Sequence, residues 1–139
     1  MEILSLWLIR FEMEIEFFKY QGTGNDFVLI DNRQRWLPKT DIDCIKHLCD
    51  RRFGIGGDGL ILLENDDEVD FKMVYFNSDG AESTMCGNGG RCMVAFAKHL
   101  GVIRNKEATF MAADGLHSAT NDATENVKMK MKDVDEVLE

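Results

Sequence analysis

The chain has 139 residues, of which 45% are hydrophobic, so one folded domain with a buried core is the default expectation. Its 25 acidic and 16 basic side chains give a net charge of −9, which argues against nucleic acid or an anionic membrane as a partner. The four cysteines, at positions 44, 49, 86 and 92, form neither a disulfide framework nor a Cys-x-x-Cys metal motif. They indicate a reducing, cytoplasmic setting and no bound metal.

Residues 1–13 precede the first predicted element of the domain. Their apolar run, Ile3–Ile9, is much shorter than the roughly 20 residues that a membrane-spanning helix needs, and no basic region or cleavage site indicates a signal peptide. We expect an N-terminal extension upstream of a natural start near Met13, with residues 14–139 forming the domain. A short extra strand or an interface segment is the alternative.

The first half of the domain is predicted to contain a hairpin, a helix and a strand. Residues 14–20 and 27–31 have strand patterns and flank a glycine-rich loop. A helix over residues 42–53 follows, with Asp41 as its N-cap and Gly54 at its end. The apolar residues 60–63 then predict a short buried strand.

The second half predicts strands on both sides of a central helix. A strand over residues 70–77 ends in a turn at residues 77–80, and the helix runs from Gly87 to His99 and closes at Gly101. A hairpin over residues 108–120 turns at Asp114 and Gly115, and alternation over residues 127–131 predicts a last strand. Because no β-α-β unit repeats, we predict an α+β fold, with strands and hairpins wrapped around the helix that starts after Cys86.

The segment at residues 86–92, CGNGGRC, carries the strongest chemical signal. A helix N-terminus has unpaired N–H groups and a partly positive dipole, which can bind a carboxylate and can lower a thiol pKa from about 8.5 to roughly 3.5–7.5. Cys86 therefore combines an activated sulfur with a carboxylate site, although an inert buried thiol is the alternative. Cys92 lies six residues further along the same helix, and we expect it to belong to the core, as we do Cys44 and Cys49.

Three asparagines lie in predicted turns or helix starts. Asn25 and Asn77 could serve their turns alone, but together with Asn88 they offer uncharged donors and acceptors for an amino-acid ligand. The pattern Gly54-x-Gly56-x-x-Gly59 matches the dinucleotide fingerprint by letters. A helix precedes it and a strand follows, which is the reverse of the required order, so we expect a turn and not a nucleotide site.

Four motifs, in order, resemble the diaminopimelate epimerase family. They are KYQGTGNDF at residues 19–27, RRFGIGGDG at residues 51–59, FNSDG at residues 76–80 and CGNGGRC at residues 86–92. The resemblance implies a cofactor-free isomerase that converts LL- to meso-diaminopimelate with one cysteine on each face of the substrate. Cys86 matches one of these cysteines, and Asn25, Asn77, Gly87 and Asn88 match substrate-binding positions.

The resemblance covers only the first of the family's two domains, each of which supplies one cysteine. We therefore expect this chain to be inactive alone and to have a surface through which it could self-associate. One alternative is a homodimeric amino-acid racemase that uses two copies of Cys86. Another is a non-catalytic module that binds a small carboxylate.

Overall fold

The computed structural model describes residues 2–8, 11–84, 87–121 and 127–129, with side chains from Ile15 onward. Within those ranges the chain forms nine strands and two helices. In chain order they are β1 (Glu2–Leu8), β2 (Phe11–Gly22), β3 (Asn25–Asp31), α1 (Ile42–Cys49), β4 (Gly59–Glu64), β5 (Phe71–Asn77), β6 (Glu82–Ser83), α2 (Gly87–His99), β7 (Glu107–Ala112), β8 (Gly115–Asn121) and β9 (Val127–Met129). Neither helix is long and apolar enough to cross a membrane.

The strands form one mixed sheet in the order β1-β2-β3-β4-β5-β7-β8-β9, with β6 paired to β5. Most neighbours are antiparallel, but β3 pairs in parallel with β4, and β5 with β7. Each parallel pair is joined by a connection that contains a helix, α1 in the first case and α2 in the second. The predicted α+β class is confirmed, whereas these two parallel crossovers were not predicted.

The two helices cover opposite faces of the sheet. Alternate residues of β3 and β4 face opposite ways: Leu29 and Ile61 pack with α2, whereas Ile30 and Leu62 pack with α1. All six residues of β4 are buried because a helix lies over each face. The α2 core also takes side chains from β5, β7 and β8, so the sheet surrounds that helix as predicted.

Helix α1 begins where it was predicted and ends four residues early. The Asp41 carboxylate accepts a hydrogen bond from the Cys44 N–H at 3.0 Å, which confirms the N-cap. The predicted end at Phe53 was wrong because Asp50 has an extended backbone and its carboxylate accepts hydrogen bonds from Arg52 N and Phe53 N, at 2.8 and 2.9 Å. This local side-chain bonding competes with another helical turn.

The other predicted elements are confirmed in the described ranges. Helix α2 ends as expected: Gly101 has a φ of +77° and its N–H donates to Lys98 O at 3.0 Å. The predicted hairpin is observed as β7 and β8, but its turn lies at residues 113 and 114 and not at Asp114 and Gly115, because Gly115 already pairs with Ala112. The last predicted strand is observed as β9. Met131, which was placed in that strand, lies outside the described residues.

Part of the N-terminal segment forms a strand, β1, as in the alternative that expected a short extra strand at residues 1–13. β1 pairs with the first part of β2, with Glu2 opposite Phe17 and Leu8 opposite Phe11. The remainder of β2 pairs with β3, with Phe18 opposite Leu29. The dispensability of residues 1–13 stays a prediction.

Candidate active site

Four strand ends meet at one edge of the sheet. Gly22 at the end of β2 pairs with Asn25 at the start of β3, and Phe27 of β3 pairs with Gly59 at the start of β4. Gly59 in turn pairs with Asn77, the last residue of β5. This edge therefore gathers the loops that carry the first three sequence motifs.

The start of α2 lies against the same edge. A Cβ placed on Gly22 would lie 3.6 Å from the Asn88 carbonyl oxygen. The Asn88 Nδ2 donates to Asn25 Oδ1 at 2.7 Å, which joins two half-buried side chains 63 residues apart in sequence. Arg91, one turn further along α2, donates to Asn88 Oδ1 and, at 3.4 Å, to Thr23 Oγ1. The structure thus brings together Asn25 and Asn88, two of the predicted site residues.

Asp58 connects this amide pair to the glycine-rich loop after α1. Its Oδ2 accepts from Asn25 Nδ2 at 3.2 Å and from the Asp26 N–H at 3.1 Å. The Asp58 N–H donates to Asp26 O at 2.8 Å, so the two loops bind each other through main chain and side chain. The loop approaches because it folds back on α1, with the Gly57 N–H donating to Cys49 O at 3.1 Å.

A cationic pair surrounds Asp26. Arg51 donates to both carboxylate oxygens of Asp26, at 2.7 and 3.0 Å, and to Asp58 Oδ1 at 3.0 Å. Lys19 Nζ donates to Asp26 Oδ2 at 2.8 Å and to the Gly56 carbonyl oxygen. Hydrogen bonds from Arg51 first and Lys19 second hold the pKa of Asp26 well below its usual range, and the Arg51 pKa rises in turn.

No role was predicted for Arg51, Asp58 or Arg91, although all three lie in the motifs that define the resemblance. Apart from the contact of Arg91 with Asn88, three residues away, their partners are 7 to 68 residues away in sequence, so local patterns do not reveal them. The sequence does place these charged residues beside glycine-rich turns. That placement is as typical of structural ion pairs as of a functional site, so it did not single them out.

The structure describes two of the three remaining predicted site residues, Asn77 and Gly87, and not Cys86. Asn77 lies at the same sheet edge with an exposed side chain; its N–H donates to Ala81 O and its carbonyl oxygen accepts from Gly80 N, both at 2.9 Å. None of the hydrogen bonds described above joins it to Asn25 or Asn88. Gly87 is the first residue of α2. Cys86 lies outside the described residues, and its role stays a prediction.

The three described cysteines are buried, as predicted. Burial raises the pKa values of Cys44 and Cys49 to about 11, and the nearby Asp41 carboxylate adds to the effect at Cys44. Cys92 packs in the α2 core. At neutral pH Cys44 and Cys49 therefore lack the ionised form that nucleophilic or basic chemistry requires. Among the described residues, no group of three or more His, Cys, Asp or Glu side chains is arranged to hold a metal ion.

Comparison with solved structures identifies the fold. The Bacillus anthracis phenazine biosynthesis protein of the PhzF family aligns with a TM-score of 0.62 and 16% identity, covering 81% of this chain and 39% of that one. A probable proline racemase from Agrobacterium radiobacter K84, solved with bound carbonate, aligns with a TM-score of 0.61 and 16% identity, covering 77% and 38%. The fold is therefore that of the PhzF and proline racemase proteins.

Sequence comparison identifies the family. A family model described as diaminopimelate epimerase matches residues 17–137, beginning beyond the predicted N-terminal extension. The diaminopimelate epimerase of Flavobacterium psychrophilum is 63% identical over 123 residues, which make up 88% of this chain and 48% of that protein. The chain belongs to the diaminopimelate epimerase family, a family of isomerases. It spans about half the length of this relative.

Proposed function

We propose that this chain forms one half of an epimerase active site that acts on the α-carbon of diaminopimelate. The observation that carries the proposal is the 2.7 Å hydrogen bond between the Asn25 and Asn88 amides at the start of α2. It joins residues from two separate motifs at the start of α2, the helix that Cys86 immediately precedes in sequence. Membership of the family supports an amino-acid substrate.

In the proposed reaction the Cys86 thiolate removes the α-proton from one face of the substrate. The α-proton of an amino acid is weakly acidic, so the developing carbanion needs strong electrostatic stabilisation. N–H groups at the start of α2, including that of Gly87, and the Asn88 amide would bind the carboxylate next to the reacting carbon. Asn25, which is hydrogen-bonded to Asn88, would add a donor to the same carboxylate, and Asn77 would bind another polar group of the substrate. The reaction needs no metal or cofactor.

Inversion requires a second thiol that returns a proton to the opposite face. Cys92 cannot supply it, because Cys92 is buried in the α2 core. We therefore propose that the second cysteine belongs to a domain equivalent to the other half of the longer relatives. The chain by itself would then hold substrate weakly and would not complete the epimerisation.

A chimera tests this proposal. Residues 14–139 would replace the matching half of the Flavobacterium psychrophilum enzyme, and conversion of LL- to meso-diaminopimelate would be followed by NMR. We expect an active chimera whose Cys86→Ser variant loses activity by about 10³-fold or more, because the base is removed. The matched control is Cys44→Ala, which removes a buried thiol from the α1 core, on the face of the sheet opposite α2, and should retain activity.

Two results would contradict the proposal. A folded chimera with Cys86 intact and no epimerase activity would show that this half does not build the site. Full activity in the Cys86→Ser chimera would show that another group removes the proton.

A further inference from the structure

The amide pair lies within a chain of hydrogen bonds that has a charged group at each end. Arg91 donates to Asn88 Oδ1, Asn88 Nδ2 donates to Asn25 Oδ1, and Asn25 Nδ2 donates to Asp58 Oδ2. Asp58 is held in turn by Arg51, at 3.0 Å, and by the Asp26 N–H, at 3.1 Å. The chain of bonds joins three segments that are remote in sequence: the first turn of α2, the start of β3 and the loop before β4.

The charged ends determine which way the amides point. An asparagine amide can rotate to exchange its donor nitrogen and its acceptor oxygen, but an ionised carboxylate only accepts and a guanidinium only donates. Asp58 therefore requires the nitrogen of Asn25, and Arg91 requires the oxygen of Asn88. Both requirements leave the Asn88 nitrogen to donate to the Asn25 oxygen in the central bond. The orientation of the two amides is therefore specified from both ends.

This orientation determines what the pair can offer a ligand. Each amide oxygen already accepts one hydrogen bond, from Arg91 or from Asn88. Within the described contacts each amide nitrogen donates one hydrogen bond and carries a second hydrogen. Each amide oxygen also keeps a second lone pair, so the two amides alone could accept as well as donate. The partly positive N-terminus of α2, with its own N–H groups, and the Arg91 guanidinium bound to Asn88 make an anionic ligand more favourable here than an ammonium group.

We propose that Asp58 and Arg91 are positioning residues that keep the Asn25 and Asn88 amides turned so that both present N–H donors to a substrate carboxylate. The identity of that carboxylate rests on the proposed function, but the orientation and the preference for an anion do not. Neither residue needs to contact the substrate. Removing either charged end would allow the amides to flip and would mix donors with acceptors at the site.

The test uses the full 139-residue chain and acetate as the probe, with methylammonium as the cationic counterpart. Side-chain amide signals of Asn25 and Asn88 would be assigned by NMR and followed during each titration. We expect acetate, and not methylammonium, to shift both signals. Asp58→Asn and Arg91→Gln should each weaken acetate binding by about tenfold, because a bond to a properly oriented donor is lost.

Two further variants separate orientation from general stability. Arg91→Lys keeps a group that only donates and should retain acetate binding, unlike Arg91→Gln. Asp66→Asn removes a carboxylate that also accepts two backbone N–H bonds, from Glu68 and Val69, but lies in another turn and should have no effect. Thermal melting would confirm that each variant is folded.

The proposal is overturned if acetate fails to shift the two amide signals in the folded wild-type chain. It is also overturned if folded Asp58→Asn, or folded Arg91→Gln, binds acetate as tightly as the wild type. If Asp58→Asn does not fold, the Arg91→Gln and Arg91→Lys pair decides. An inactive chimera together with the expected acetate results would contradict the proposed function alone.

Discussion

Individual charged residues join the loops of the candidate site. Asp26 lies between Arg51 and Lys19, and both cations keep its pKa low, so it remains ionised through the whole neutral range. Its backbone N–H and carbonyl oxygen also bind Asp58. The loop that carries Asn25 and the loop that carries Asp58 are therefore joined by ionic and main-chain bonds, which fixes the asparagine beside α2.

The buried thiols should differ from Cys86 in reactivity. With a pKa of about 11, Cys44 and Cys49 carry about 0.1% thiolate at pH 8, against about 10% for an ordinary thiol of pKa 9.0. We predict that iodoacetamide labels both at least about 100-fold more slowly than Cys86, measured by peptide mass spectrometry. Because their folded pKa is raised, labelling should increase about tenfold per pH unit up to about pH 11.

Urea provides the control for this experiment. In the unfolded chain all four cysteines are exposed and should be labelled at similar rates. If Cys44 or Cys49 in the folded chain reacted as fast as Cys86, the assignment of those two thiols to the core would be wrong.

At the residue scale, the sequence predicted which residue types form the candidate site better than it predicted which residues they contact. Asn25 and Asn88 were predicted to share a site, and they form a direct hydrogen bond. Asp58 was not predicted to support Asn25, because that contact exists only once the glycine loop folds back on α1. Such contacts depend on the path of the chain in three dimensions, which a motif does not contain.

At the scale of elements, helix starts were easier to predict than helix ends. Asp41 precedes an amphipathic stretch and caps it, which is a local interaction within four residues. The end of α1 depends on competition between another helical turn and the bonds that Asp50 makes to Arg52 N and Phe53 N. Both outcomes are compatible with the sequence, and the folded-back loop at residues 54–57 favours the second.

The N-cap of α1 should contribute measurably to stability. We predict that Asp41→Ala lowers the free energy of unfolding by about 1 kcal/mol, because the Cys44 N–H loses its acceptor. Urea unfolding monitored by circular dichroism measures the change. The matched control is Asp43→Ala, an exposed acidic residue in the first turn, which should change the free energy of unfolding by less than about half as much. Equal losses in the two variants would argue against a specific cap.

The return of the loop after α1 depends on the small size of Gly54. A Cβ at this position would lie 1.8 Å from the His47 carbonyl oxygen, a backbone atom that cannot move aside. We predict that Gly54→Ala costs about 3 kcal/mol and displaces the loop that carries Asp58. Urea unfolding gives the energy, and the Asn25 amide signal in NMR reports the site.

Gly101→Ala is the comparison for that variant. Gly101 has a positive φ of +77°, but a Cβ added there would meet open space, so only backbone strain is added, about 1 kcal/mol. An equal or smaller loss in Gly54→Ala would show that the loop tolerates the clash, and the steric explanation would fail.

At the scale of the whole molecule, the sheet lies between two hydrophobic cores that are built from different side chains. Val28, Ile30 and Leu60 contribute to the α1 core, whereas Leu29 and Ile61 contribute to the α2 core. The sequence indicated buried strands here but not their parallel pairing, because a run of apolar residues carries no information about direction. Each parallel pair requires a crossover connection, and the two crossovers carry α1 to one face of the sheet and α2 to the other.

Removal of the first 13 residues should leave this architecture intact. β1 pairs only with the first part of β2, while Ile15 and Phe17 pack in the α1 core and remain in the shortened chain. We predict that residues 14–139 fold with the same Asn25 and Asn88 amide signals and a melting temperature within a few degrees of the full chain. NMR and thermal melting measure both. Loss of cooperative melting would show that β1 is part of the stable fold.

The activity of the isolated chain distinguishes a half-site from a self-sufficient dimer. In heavy water, an enzyme with bases on both faces converts LL- to meso-diaminopimelate and introduces deuterium at the α-carbon, whereas a single base can at most exchange the proton on one face. Because Cys92 is buried and cannot act on the opposite face, we predict no formation of the meso isomer at any protein concentration. NMR of reduced protein with the substrate measures exchange and inversion together, with Cys86→Ser as control. Inversion that rises steeply with concentration and disappears in Cys86→Ser would instead identify a dimer that uses two copies of Cys86, and the half-site prediction would be wrong.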